Sequence, residues 1–134
     1  MSWSNEALAV LAEKQANWTV TREEKCICIK NSEGIDAFVY AGNRQLIAEI
    51  VLFAQEQVKD IAALNEMILR SHHMLPLTAV CLQDIAGESY YVAFGALSVD
   101  SKDAVVLEEI ETLFDNVGEF LELYSQQLTN GVTE

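Results

Sequence analysis

The run QLIAEIVLFA, residues 45–54, decides the fold. Almost wholly apolar, it reads either as a buried central strand or as the start of a helix running on to about residue 72. The strand reading is preferred. Ile, Val and Phe are frequent in it, and the segments before it form a meander that needs a further strand to pair with. Those segments are WTVTR (18–22), KCICIK (25–30) and IDAFVY (35–40), short β-rich runs parted by Glu23-Glu24 and by Asn31-Ser32-Glu33-Gly34. The second divider has hairpin-turn chemistry, with Gly34 able to take a positive φ, and Gly42-Asn43 marks the next reversal.

Outward from this meander the chain becomes helical on both sides. Residues 4–14 predict a short helix capped by Ser4, with Glu6 at its positive end and Leu8, Leu11 and Ala12 on one side. Trp3 can close over Leu8 as a hydrophobic staple. Asp60 is a good cap for a second helix at 61–73, with Ile61, Leu64, Ile68 and Leu75 inward, and Pro76 stops it. LTAVCLQD (77–84) and SYYVAFGALS (89–98) then form a hairpin around Ala86-Gly87-Glu88. The last helix follows, capped by Asp100 or Ser101, with Val106, Ile110, Leu113, Val117, Phe120 and Tyr124 in one stripe. Leu107, Phe114, Leu121 and Leu128 widen that stripe. The expected architecture is a single α+β domain over 1–128, an antiparallel sheet with three helices, followed by a polar tail at 129–134.

The formal net charge of −13 disfavours nucleic acid, which needs a basic footprint, and anionic lipid surfaces. The charge is uneven: residues 71–134 carry eleven acids and, besides two histidines, only Lys102 as a base. A basic or apolar partner is the natural complement. No uncharged run reaches the roughly 18 residues a transmembrane helix needs, and the N-terminus lacks the basic region of a signal peptide. Three cysteines, an odd number, fit a reducing cytoplasm.

Candidate sites are few. Opposite the apolar stripe of the last helix stand Glu108, Glu111, Asp115, Glu119 and Glu122, with no base among them. This row either solvates the helix or steers a basic partner segment. On the strand before it, alternation puts Tyr90, Val92, Phe94 and Ala96 on one side and Tyr91, Ala93, Gly95 and Leu97 on the other. Tyr91 is expected at the exposed edge, available to a partner. Gly95 suggests close approach of another backbone or a bulge, and Gly118 inside the last helix suggests a similar approach. Cys26 and Cys28 share a side, but C-x-C spacing within a strand is poor for structural zinc, and no metal or cofactor is expected. His72 and His73 suit the negative end of a helix. A pairing of Cys81 with His72 is the alternative, enzymatic or ligand-sensing reading; no nucleophile elbow, phosphate loop or HExxH supports it.

Four stretches together, NWTVTRE (17–23), LNEMILRSHHMLPLTAV (64–80), YYVAFGALS (90–98) and EEIETLFDNVGEFLELY (108–124), resemble the YjfI-like family of small bacterial proteins. That resemblance brings no activity and no catalytic residues. It implies an element order similar to the secretion-chaperone-like fold, α-β-β-β-α-β-β-α, here with a further strand before the middle helix. It also implies a cytoplasmic homodimer that binds polypeptides, and a link to envelope stress through a partner like phage-shock protein A. Apart from the resemblance, the apolar content exceeds what one small core readily hides, which also favours a homodimer.

Overall fold

The computed structural model describes residues 2–129; the rest of the expected tail, 130–134, lies outside the described residues. Helix α1 (Asn5–Glu13) leads into strands β1 (Thr19–Arg22), β2 (Ile27–Lys30), β3 (Asp36–Ala41) and β4 (Gln45–Ala54). Helix α2 (Ile61–Ser71), strands β5 (Ala79–Ile85) and β6 (Glu88–Ser98) and helix α3 (Asp103–Tyr124) follow. The strands form one antiparallel sheet in the order β1-β2-β3-β4-β6-β5. Residues 45–54 are therefore a strand, and the α+β class read from the sequence holds, with the extra strand present.

β4 works as an interior strand because alternate residues differ in kind. Leu46, Ala48 and Ile50 are buried, whereas Gln45, Ile47, Glu49 and Val51 face the other way and keep some exposure. A bulge between Val51 and Phe53 then returns Phe53 to the buried side, opposite Tyr91. The same side of the sheet buries Ile27, Ile29, Ala37, Val39 and Ala93 against the helices. Helix α3 crosses β4 and β6, while α1 lies over β1, β2 and β3. Its stripe from Val106 to Tyr124 is buried as the period predicts. Ser4 caps α1 by accepting from the Ala7 amide at 3.1 Å, and Asp60 caps α2 by accepting from Ala63 at 3.1 Å.

Several expectations need correction. Neither Asp100 nor Ser101 caps α3: Lys102 stands at the cap without a side-chain bond. The Ser101 carbonyl instead accepts from the Trp3 indole at 2.7 Å, which ties the N-terminus to the turn after β6. Helix α2 stops at Ser71, whose hydroxyl folds back onto the Met67 carbonyl at 2.8 Å, and His72–Met74 make a 3-10 turn. Ile61, in the first turn of α2, is exposed rather than inward. Gly118 meets nothing where a Cβ would lie, so no backbone approaches it. Thr129 is not loose, because its amide donates to Gln57 at 2.8 Å beside a bridge joining Val58 and Leu128.

Candidate interaction surface

All three helices pack on one side of the sheet, so the other side is left uncovered among the described residues. Its residues follow from the strand registers. Cys28 lies opposite Phe38, Phe38 opposite Glu49, Glu49 opposite Phe94, and Phe94 opposite Ala79. One row further, Tyr40 faces Ile47 and Ile47 faces Ala96; on the other flank, Val51 faces Val92 and Val92 faces Cys81. Val51 and Ala96 are exposed, the rest are mostly half-buried, and Val92 alone is fully buried. The result is an apolar surface with one carboxylate at its centre. Glu49 accepts a hydrogen bond there from the Gln83 amide at 2.8 Å. At the margin Lys30 pairs with Asp36 at 2.9 Å.

Cys28 on this surface and Cys26 beside it are poor nucleophiles. Burial, reinforced by Asp36, pushes the Cys28 thiol up to about 11, and burial together with Glu23 and Glu49 raises Cys26. Both stay protonated at neutral pH. His72 does not approach Cys81 as a base would: its Nε2 accepts from the Val80 amide at 2.8 Å, holding the start of β5. His72 also stands at the C-cap of α2, the helix end where the sequence put it. Among the described residues no three His, Cys, Asp or Glu side chains converge as metal ligands.

The five acids of α3, Glu108, Glu111, Asp115, Glu119 and Glu122, are exposed as expected. Glu108, Glu111 and Asp115 rim a groove with Glu33 from the β2–β3 turn, floored by Trp18 and Phe114, whose rings lie 5.9 Å apart. Tyr91 goes elsewhere. It is 2% exposed, packs on Phe53 with ring centroids 5.3 Å apart and donates its hydroxyl to Asn65 at 2.5 Å. The two sets on β6 are therefore reversed from expectation: Tyr90, Val92, Phe94 and Ala96 line the open surface, and Tyr91, Ala93 and Gly95 face the helices.

Two polar residues of α3 escaped the sequence reading. Glu109 is 4% exposed, and its Oε2 is buried without a hydrogen-bond partner. Burial, with Glu108 adding repulsion, raises its pKa. It fits only because position 95 is glycine, since a Cβ there would fall 1.7 Å from that oxygen. Asn116 is also buried and donates at 2.8 Å to both the Pro76 carbonyl and the Thr78 hydroxyl, clamping the approach to β5. Both residues could have been found, for Glu109 lies three after Val106 and Asn116 four before Phe120, within the apolar stripe.

The chain belongs to the family described as "Uncharacterized protein conserved in bacteria (DUF2170)", which matches residues 4–128. Among curated proteins it is similar to "Uncharacterized protein YjfI" of Escherichia coli (strain K12), 30% identical over 127 residues, covering 92% of this chain and 96% of that protein. Among solved structures, YbjN from E. coli aligns with a TM-score of 0.70 at 13% identity, over 92% of this chain and 93% of that one. An uncharacterized protein from Methanothermobacter thermautotrophicus aligns with a TM-score of 0.56 at 11% identity, over 90% and 97%. At such identities these two show a shared fold. None of these relatives indicates an enzyme family, and among the described residues no helix is long and apolar enough to cross a membrane.

Proposed function

We infer that this protein is a cytoplasmic polypeptide-binding module without catalytic activity, chaperone-like or adaptor in character. The observation that supports the reading is the uncovered apolar sheet surface around Glu49. A six-stranded sheet with helices on one side leaves Phe38, Tyr40, Ile47, Val51 and Phe94 in contact with water. Contiguous apolar area of this kind on a small domain marks an interaction site. The segment that suits it is an amphipathic helix, apolar on one side, with a Lys or Arg placed to meet Glu49. A charged pair of that kind fixes register. The acidic row of α3 would add attraction for the same basic partner from a distance. The sequence resemblance suggests a partner like phage-shock protein A; nothing in the fold or the surface supports that particular choice.

The test uses a labelled synthetic amphipathic helix of Leu and Lys, followed by fluorescence anisotropy. Wild-type protein should bind it, and Val51→Asp or Phe94→Asp should weaken binding on the order of tenfold or more, as for loss of a central contact. Replacing Glu111, Asp115 and Glu119 with Gln should slow association while leaving dissociation nearly unchanged. Equal binding by wild type and both sheet variants removes the proposed surface.

A further inference from the structure

We propose that the edge formed by α2 and β5 is where a second copy of this chain docks, the two β5 strands pairing antiparallel into one continuous sheet. The two edges of the sheet are built differently. β1 is four residues long, and its Arg22 is fixed between Glu6 at 2.8 Å and Glu13 at 2.7 Å, so charge guards that edge. β5 is seven residues long, AVCLQDI, with no Lys, Arg or Pro and a single charged residue, Asp84. Beside it, Leu69 of α2 and Leu82 of β5 line an apolar cleft of about 230 Å³ with Ile68, Val80 and Tyr91. Leu69 is 73% exposed and Leu82 46%. Six of the ten large apolar side chains exposed among the described residues lie between 61 and 85.

The occupant follows from backbone direction and charge. The Val80 amide donates to His72, so it points away from β6, and the amides of Leu82 and Asp84 point the same way. A two-fold axis at Gln83 would pair Leu82 of one protomer with Asp84 of its partner, making four backbone hydrogen bonds and leaving the His72 contact intact. No like charges meet in that register, and Cys81 falls opposite Ile85. Two chains of net charge −13 repel, so they can join only where charge is scarce; residues 61–85 carry two carboxylates against one arginine. Leu77, leading into β5, adds a further sign. It is held at φ +67 with its side chain exposed, a strained placement for leucine that the Asn116 clamp on Pro76 and Thr78 maintains. This interface is separate from the open sheet surface, and either can fail alone.

Sedimentation equilibrium and amide hydrogen exchange on the full chain test the proposal. Wild type should sediment at twice the chain mass of 14.9 kDa. Its Leu82 and Asp84 amides should exchange on the order of tenfold slower at high than at low protein concentration. Leu82→Lys and Leu69→Glu, both at exposed positions, should each sediment at the single-chain mass with unchanged circular dichroism. Val51→Lys, on the open sheet surface, should remain paired. The proposal is overturned by a wild type that stays at the single-chain mass throughout. It is equally overturned by a dimer that survives both edge variants, by one that Val51→Lys dissociates, or by one whose Leu82 and Asp84 amides gain no protection.

Discussion

Glu109 sits where α3 passes β6, with Gly95 below it and the carbonyl of Leu77 close by. A carboxylate there loses hydration, and its buried oxygen has no donor to replace the lost water. Its raised pKa has a definite consequence for stability. Below the unfolded value, near 4.5, both states are protonated and the residue has no effect. As pH rises from there toward the higher folded value, the unfolded chain ionises while the buried native carboxyl still holds its proton, so stability falls, and above the folded value the loss is complete. Glu109→Gln removes this loss. The variant should be more stable than wild type at pH 7.5 by about 1 kcal/mol, a rise in Tm of about 3–5 °C. Its advantage should shrink as the pH is lowered toward 5. Urea denaturation at the two pH values checks both the sign and the trend; an advantage independent of pH would assign the effect to packing.

At the scale of elements, the periods in the sequence were informative wherever one side of an element is buried and the other wet. The α3 stripe, the Ser4 and Asp60 caps and β4 as a strand were all legible on that basis. What could not be read is which side of a strand meets the helices. Alternation sorts β6 into two sets without saying that α3 covers Tyr91, Ala93 and Gly95; only their small members, which let a helix approach, hinted at it. Aromatic size pointed the wrong way. Gly118 shows the same limit. Lone glycine in a helix suggested close packing, yet the position is open and a Cβ would touch nothing. Gly118→Ala should therefore stabilise the protein by about 0.5–1 kcal/mol through helix propensity and reduced freedom of the unfolded chain. Thermal unfolding by calorimetry measures it, and a lower Tm would mean that the position is occupied by a partner or a second copy in solution.

For the whole molecule, two surfaces of different chemistry share one strongly acidic body. The open side of the sheet, with Glu49 at its centre, suits a cationic amphipathic segment; the β5 edge suits only a chain as sparsely charged as itself. Their dependence on salt should accordingly have opposite signs. Pairing at β5 brings two bodies of charge −13 together, and that repulsion acts over a screening length of about 10 Å at 0.1 M ionic strength and about 3 Å at 1 M. Raising salt from the lower to the higher value should tighten the homodimer, helped by stronger apolar association. Binding of the Leu/Lys helix to the sheet surface should weaken over the same range, because the attraction to Glu49 and to the acidic row is screened. Sedimentation equilibrium follows the first and anisotropy the second, on the same samples. If the homodimer loosens with salt instead, opposite charges hold it together, and the contact must involve the acidic side of α3 rather than β5.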